Sequence, residues 1–403
     1  MANWKRVVAT ALVACGAATA NAADVKVGAL YPLSGGLALL GDESFRGFEL
    51  AVEDANAAGG LKKGRIVMAK GDAVDANQAV GEARRLVSVE GVKVVFGTYA
   101  SSLSLAATQV TELAKVPYFE MGAISDPITE RGLKYVFRTN PTAKGFAQQM
   151  VDEIVNTIAP ALKMDPKAIK IGIIHEDSLY GQTVSGFQKA RAQEKGLKVV
   201  EVLPYPASSV DLSSVILRLK GSGVDVVLQT SYQNDSVLFF RQAKEMGFKP
   251  KAAIGAGGGY SMMDTAKAVG FDNIEGALDV DFPQYYTNPA AAPGIDEFVK
   301  KYQAKYGHPP RSGHSLANYA GAKIFFQALD NAKSLSADDI RAAVLALDLP
   351  QGKTPTGWGA KFGENGQNLR AQPILMQWQG GKLVTVSPPA AAMGKLKIGM
   401  GTN

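Results

Sequence analysis

The chain has 403 residues, of which 46% are hydrophobic and 20% charged, with 43 Lys and Arg against 37 Asp and Glu, a formal charge of +6, three His and one Cys. Hydrophobicity and charge this ordinary exclude a disordered or low-complexity chain, and a single Cys excludes a disulfide scaffold or zinc ribbon. The length favours two domains, and a positive excess this small and dispersed gives no indication of nucleic acid as a partner.

Residues 1–22 are expected to be a cleavable export signal. Lys5 and Arg6 precede the mostly apolar stretch Val7 to Ala18, and Ala20, Asn21 and Ala22 form a small-x-small cleavage site. That stretch falls short of the roughly 20 residues a spanning helix needs. A minor alternative lies inside it: Leu12, Val13, Ala14 and Cys15 fit the pattern in which the Cys becomes an acylated first residue and tethers the protein to a membrane. With the signal removed no cysteine remains, so the exported protein relies on its core.

The chain then repeats itself at the level of pattern. VKVG at 25–28 recurs as IKIG at 169–172, and each is followed by a helix carrying a Gly–Phe pair, Gly47–Phe48 and Gly186–Phe187. RIVMAK at 65–70 answers LKVVEV at 197–202. Asp75 and Asp211 each open an amphipathic helix, where an Asp caps free backbone N–H groups and suits the helix dipole. GVKVVFGT at 91–98 answers GVDVVLQT at 223–230, and VPYFEM at 116–121 answers AAIGAG at 252–257. The offset shrinks from 144 to 132 residues, as expected for two copies of one βαβαβαβ unit with trimmed loops. The fold class is therefore α/β, with two doubly wound parallel-sheet lobes.

In such sheets ligands sit beyond the carboxyl ends of the strands. After VVFG come Thr98, Tyr99, Ala100, Ser101 and Ser102 at the start of a helix, where hydroxyls and free N–H groups favour an anion such as a carboxylate; N-capping is the plainer role for the serines. The corresponding loop of the second copy supplies Tyr232, and the loop after IGII supplies Glu176 and Tyr180. Catalysis finds little support. His175, His308 and His314 have no metal-ligand spacing, no serine is tied to them by a motif, and GAGGGY at 255–260 fails as a dinucleotide fingerprint because Tyr260 stands where its last Gly belongs. No enzyme activity, metal or cofactor is expected.

ALYPLSG with GD at 41–42, RGFELAVEDANAAGG, GTYASS, SDPITERGLKYVFRTNP and the YG of IIHEDSLYG, in that order and spacing, resemble the type I periplasmic solute-binding proteins of ABC importers, in the leucine/isoleucine/valine-binding branch. The resemblance runs from residue 24 to about 386. It implies a monomeric two-lobed clamp for a small-molecule ligand, working in the periplasm with an inner-membrane ABC permease complex. Three crossover segments would join the lobes, near Thr139 to Pro141, Asp279 to Pro283 and Leu349 to Gly352. Lobe 1 would comprise 23–140 and 281–350 and lobe 2 141–280 and 351–390, leaving 391–403 as a loose tail.

The resemblance also implies site residues. Tyr99, Ala100 and Ser101 would hold the ligand carboxylate together with Ala123 and Ser125, Tyr180 and Tyr232 would form an aromatic lid, and Leu40 would stand over the side-chain pocket. The position that gives amino-acid binders a carboxylate for the ligand ammonium falls at or near Gly257, which cannot neutralise a charge. Either Asp281 or Glu176 supplies it, or the ligand is an aromatic or aliphatic carboxylate or amide without an ammonium, with Tyr260 as a donor. A sensor using the same clamp is a further alternative.

Overall fold

A computed structural model describes residues 24–400, so the expected export signal and Cys15 lie outside the described residues. Two parallel sheets organise the chain. The first contains β1 (Val25–Tyr31), β2 (Ile66–Asp72), β3 (Val94–Gly97), β4 (Tyr118–Glu120) and β5 (Val136–Arg138) in the order β2-β1-β3-β4-β5. In the second, β6 (Lys170–Glu176), β7 (Lys198–Tyr205), β8 (Val226–Thr230), β9 (Ala252–Gly255) and β10 (Leu278–Asp281) repeat that order from the other edge, β10-β9-β8-β6-β7. Each strand of one unit has its counterpart in the other, as the internal repeat predicts. Beyond β10 the second sheet adds an antiparallel pair, described below.

Helices cover both faces of each sheet. The first sheet carries α1 (Ala38–Ala57), α2 (Ala76–Ser88), α3 (Ser101–Leu113) and the short α4 (Pro127–Glu130). The second carries α5 (Ala143–Glu153), α6 (Ala159–Leu162), α7 (Leu179–Glu194), α8 (Ser213–Gly221), α9 (Gln233–Glu245), α10 (Met263–Val269) and α11 (Phe271–Ile274). Then α12 (Ile295–Tyr306), α13 (Gly313–Asn331) and α14 (Ala337–Leu345) return to the first. Strand alternation divides the core accordingly: Val27, Ala29 and Tyr31 of β1 face the α1–α13 side, while Leu30 faces the α2–α3 side. In β6, Ile171 and Ile173 face one way and Ile174 the other. Burial on both faces explains why these strands read as continuous apolar runs.

The chain passes between the lobes three times. It leaves the first sheet after β5, and Ala143 of α5 already lies in the second lobe's core. It leaves the second after β10, and Ala292 and Ile295 rejoin the core of the first. The last passage differs from expectation. β11 (Asp348–Leu349) pairs with β12 (Ala360–Lys361), Phe362 packs in the first lobe's core, and Gln367 bridges to Arg138 of β5. The chain therefore runs beside the first sheet beyond Leu349 to Gly352, touching the second lobe's core through Trp358 and Ala371 before β13 (Ile374–Gln379) and β14 (Lys382–Ser387) form the antiparallel edge. The reason is hydrogen bonding: the Arg138 N–H donates to Gly366 O at 2.9 Å and the Asn368 N–H to Arg138 O at 2.9 Å, satisfying an edge that would otherwise be open.

The tail is a second correction. It was expected to be loose, yet the Lys397 N–H donates to Gln377 Oε1 at 2.8 Å, Gln379 Nε2 donates to Lys395 O at 2.8 Å, and Met400 is buried in the second lobe. Side-chain amides of β13 hold its backbone, a partnership that sequence pattern does not reveal. Among the described residues no helix is long and apolar enough to cross a membrane.

Candidate functional site

The loops at the carboxyl ends of β3, β4, β6, β8, β9 and β10 converge from the two lobes on one narrow cavity, with about 20 Å³ open to the centre of a water molecule. Tyr99, Ser101, Tyr180, Tyr232 and Asp281, all candidates from the sequence, line it. The lobes are closed on it: the Tyr99 and Tyr232 rings lie 6.0 Å apart across the cleft, Tyr232 and Tyr180 are 5.3 Å apart, and Ser125 Oγ donates to Leu179 O of the other lobe at 3.3 Å.

The first-lobe wall is assembled by two buried charges that the sequence reading missed. Glu120, at the end of β4, accepts at Oε1 from the N–H groups of Met121 (3.1 Å), Gly122 (2.8 Å) and Ala123 (2.7 Å). Its Oε2 accepts from Thr98 N–H at 3.1 Å and from the Ser104 hydroxyl, so one carboxylate ties the loops after β3 and β4 together. Burial pushes its pKa up and those hydrogen bonds pull against it. Arg138, at the end of β5, is fully buried; Nη1 donates to Ser125 O at 2.8 Å and Ala123 O at 3.3 Å, and Nε to Gln367 Oε1 at 2.6 Å. Burial lowers its pKa to about 10, which leaves it a cation at neutral pH beneath the Ala123–Ser125 loop.

On that wall Ser101 is the first residue of α3, 2% exposed, and its Oγ accepts from the Ser125 N–H at 3.3 Å. It does not cap the helix: Ala100 holds that position, without a side-chain cap. The first-turn N–H groups of α3, the positive end of its dipole and the Arg138 charge make this wall suited to a carboxylate. Tyr99 has φ +101°, a conformation strained for a side-chain-bearing residue, and its buried hydroxyl has no partner among the described residues. A Cβ at Gly122 would come within 2.7 Å of Tyr99 Cα, so the glycine lets the two loops meet. His314, at the start of α13, packs at 5.5 Å from the Tyr99 ring, and burial lowers its pKa to about 4, leaving a neutral imidazole.

The second-lobe wall is aromatic and acidic. Tyr180 donates its hydroxyl to Ala256 O at 2.5 Å, and Phe146 and Phe282 complete the lining. Asp281 Oδ1 accepts from the Phe282 N–H at 2.7 Å, while Oδ2 is buried without a close hydrogen-bond partner among the described residues, the Ser261 hydroxyl being its polar neighbour. Glu176 is otherwise engaged: Oε1 accepts from Gly181 N–H at 2.6 Å and Ser178 Oγ at 2.9 Å, and Oε2 from Ser178 N–H at 2.6 Å.

The remaining candidates stand further back. Ala100 and Leu40 pack with Tyr99, Leu103 and Met262 in the cluster behind the cavity, and Ala123 is held by Glu120 and Arg138. Gly257 lies against Asp281. Tyr260 turns away from the cleft, donating to Gln229 Oε1 at 2.9 Å and packing 4.9 Å from Phe240. Gly255 is why: a Cβ there would fall 2.2 Å from Tyr260 Cγ, so the ring fills the space over the glycine instead of the cavity. Nothing in local sequence marks Glu120, Arg138, His314, Phe146 or Phe282; their roles come from elements far apart in the chain. Among the described residues, no group of three or more His, Cys, Asp or Glu side chains is placed to hold a metal ion.

Comparison with known proteins agrees with this architecture. A family model described as periplasmic binding protein matches residues 24–382. The Leu/Ile/Val-binding protein homolog 8 of Brucella abortus (strain 2308) is 59% identical over 380 residues, 94% of each chain. At 20% identity and a TM-score of 0.78, the fold is shared with a branched-chain amino acid transporter substrate binding protein of Streptococcus pneumoniae in complex with isoleucine, covering 91% of this chain and 100% of that one. An ABC transporter solute binding protein from R. palustris in complex with benzoate is equally similar, at 20% identity and a TM-score of 0.78 over 93% and 98% of the two chains. The chain belongs to the periplasmic binding protein family.

Proposed function

We propose that this protein is the periplasmic substrate-binding component of an ABC importer, which closes its lobes on a small apolar amino acid or related carboxylate and hands it unchanged to an inner-membrane permease complex. The observation that carries the reading is the composition of the cavity's two walls. Ser101 and the α3 N-terminus lie on one lobe, with Arg138 buried behind the Ala123–Ser125 loop, and Tyr180, Tyr232 and Asp281 line the other. A ligand touching both stabilises the closed state, because only differential affinity shifts the populations of two conformations. The name of the Brucella relative and the bound isoleucine of the S. pneumoniae neighbour support an apolar amino acid. Export through the N-terminal signal, a monomeric state, and lobes divided where the three passages cross are parts of the same proposal.

A second reading, capture of an aromatic or aliphatic carboxylate, is favoured by the aromatic rings of Tyr99, Phe146, Tyr180, Tyr232 and Phe282 in the cavity and by the benzoate bound to the R. palustris neighbour. No turnover is expected on either reading. His314 is neutral, packed between the Tyr99 and Phe282 rings, with Ser312 as its hydroxyl neighbour at 3.3 Å outside the cavity lining.

Thermal-shift measurement against the L-amino acids, benzoate and 4-methylpentanoate tests the proposal, since a ligand at 100 times its Kd stabilises by about 2.7 kcal/mol. An apolar amino acid or carboxylate should raise the Tm and be recovered intact after denaturation. Absence of any shift, or chemical conversion of the bound compound, would defeat it.

A further inference from the structure

Where the turn after α12 enters α13, a few residues carry contacts to the cavity and to the opposite lobe. The Arg311 carbonyl accepts from the Met263 N–H of the second lobe at 3.0 Å. A Cβ on Gly313 would come within 2.5 Å of the Pro283 carbonyl oxygen, so the chain there lies flush against the segment that follows β10. His314 lines the cavity, its ring 5.5 Å from Tyr99 and 5.2 Å from Phe282.

This stretch is held from behind by a carboxylate outside the cavity. Glu43 of α1 is fully buried, and each of its hydrogen-bond donors is neutral. Oε1 accepts from the Arg311 N–H at 3.1 Å and from the Ser315 hydroxyl, with the Ser312 N–H at 3.5 Å. Oε2 accepts from the Tyr302 hydroxyl of α12 at 2.5 Å. The Arg311 guanidinium is turned elsewhere, between Asp42 and Asp264. An apolar side chain would fill the same volume without burying a charge, but it would leave the Arg311 N–H with no acceptor and the 311–315 backbone with nothing to fix its place. Hydrogen bonds weaken beyond roughly 3.5 Å, so a shift of about 1 Å in that backbone is enough to lose the contact between Arg311 and Met263.

We propose that Glu43 is a positioning residue for lobe closure: it sets residues 311–314 in place before the ligand arrives, so that the Arg311 carbonyl meets Met263 and His314 meets the ligand when the lobes shut. The inference rests on the two-lobed clamp reading and extends it to a group that never touches the ligand. Contacts made only in the closed state shift the balance toward it, and Glu43 acts by aligning them.

The probes are the L-amino acids, benzoate and 4-methylpentanoate of the thermal-shift series. The one that binds the wild type most tightly is titrated calorimetrically into the wild type, Glu43→Leu and Glu43→Gln. Leucine fills the volume and accepts nothing, whereas glutamine keeps an acceptor for the Arg311 and Ser315 donors and can donate to the Tyr302 hydroxyl oxygen. The probe should bind E43L tenfold or more weakly and E43Q within threefold of the wild type. Residue-resolved amide exchange at saturating probe separates positioning from general loss of stability. The Met263 N–H should be protected in the wild type and E43Q and exchange freely in E43L, with the amides of β1 protected in all three. In the wild type without probe the Arg311 amide should already be protected, a readout that needs no variant.

Binding of E43L within threefold of the wild type, E43Q as weak as E43L, or an Arg311 amide protected only with probe bound overturns the inference and leaves the clamp intact. Should E43L not fold, the affinity of E43Q and the Arg311 amide decide. Failure of every probe to bind the wild type overturns the clamp reading and the inference with it.

Discussion

Ser101 illustrates how a hydroxyl at a strand-to-helix junction comes to line the cavity. Its Oγ already accepts one N–H from Ser125, so its own proton is free for an acceptor in the cavity. Ser101→Ala should weaken ligand binding by about 1–3 kcal/mol, as for a buried hydrogen bond to a charged group, with the melting temperature of the free protein little changed. Unchanged affinity in calorimetry would remove Ser101 from the site. This residue was legible because hydroxyls after a buried strand, at the head of a helix, carry their own local explanation. Glu120 and Arg138 were not: each ends a short strand, and a charge there reads as solvated until the loops that bury it are in place. Tyr260 shows the opposite error, a polar aromatic in a glycine loop that packs into the core and leaves the site to Asp281.

At the level of elements, the repeat carries more information than its pattern suggested. Gly28 and Gly172 hold equivalent positions in β1 and β6 for one reason, since a Cβ would meet Leu86 at 3.2 Å in the first lobe and Leu219 at 2.6 Å in the second. The helical glycines do not share a role. A Cβ on Gly47 would stand 1.9 Å from the Ser315 carbonyl oxygen, so α1 and α13 pack backbone to backbone there, whereas Gly186 has nothing within 4 Å. Gly47→Ala should force those helices apart and lower stability by about 1–3 kcal/mol. Gly186→Ala should raise it by up to about 1 kcal/mol through helix propensity. Thermal unfolding of the two variants should therefore shift in opposite directions; shifts of the same sign would contradict the packing described. Asp75 behaves as expected of a cap, accepting from the Gln78 N–H at 2.8 Å.

For the whole molecule, the closed state is held at the cleft's rim as well as in its cavity. Arg311, before α13, is anchored to the first lobe by its N–H on Glu43 Oε1 at 3.1 Å, and its carbonyl accepts from Met263 N–H of the second lobe at 3.0 Å. Its guanidinium stands between Asp42 at 4.0 Å and Asp264 of α10 at 3.9 Å. These groups are partly exposed, so the contribution to closure is at most about 1 kcal/mol and is screened by salt. Asp264→Asn should weaken ligand binding by up to about fivefold at low ionic strength and match the wild type near 1 M salt. A difference that persists at high salt would mean that the contact does not act through charge.

Strand and helix order, the internal duplication and the hydroxyl-rich loops could be read from residue types alone, because apolar periodicity and helix-start chemistry are local properties repeated every few residues. The path of residues 351–370, the anchoring of the tail, the buried Glu120 and Arg138, and the meeting of Asp281 with Gly257 could not. Each depends on groups distant in the chain competing for one buried space, and which of them occupies it is settled by packing and by the need to satisfy every buried polar atom.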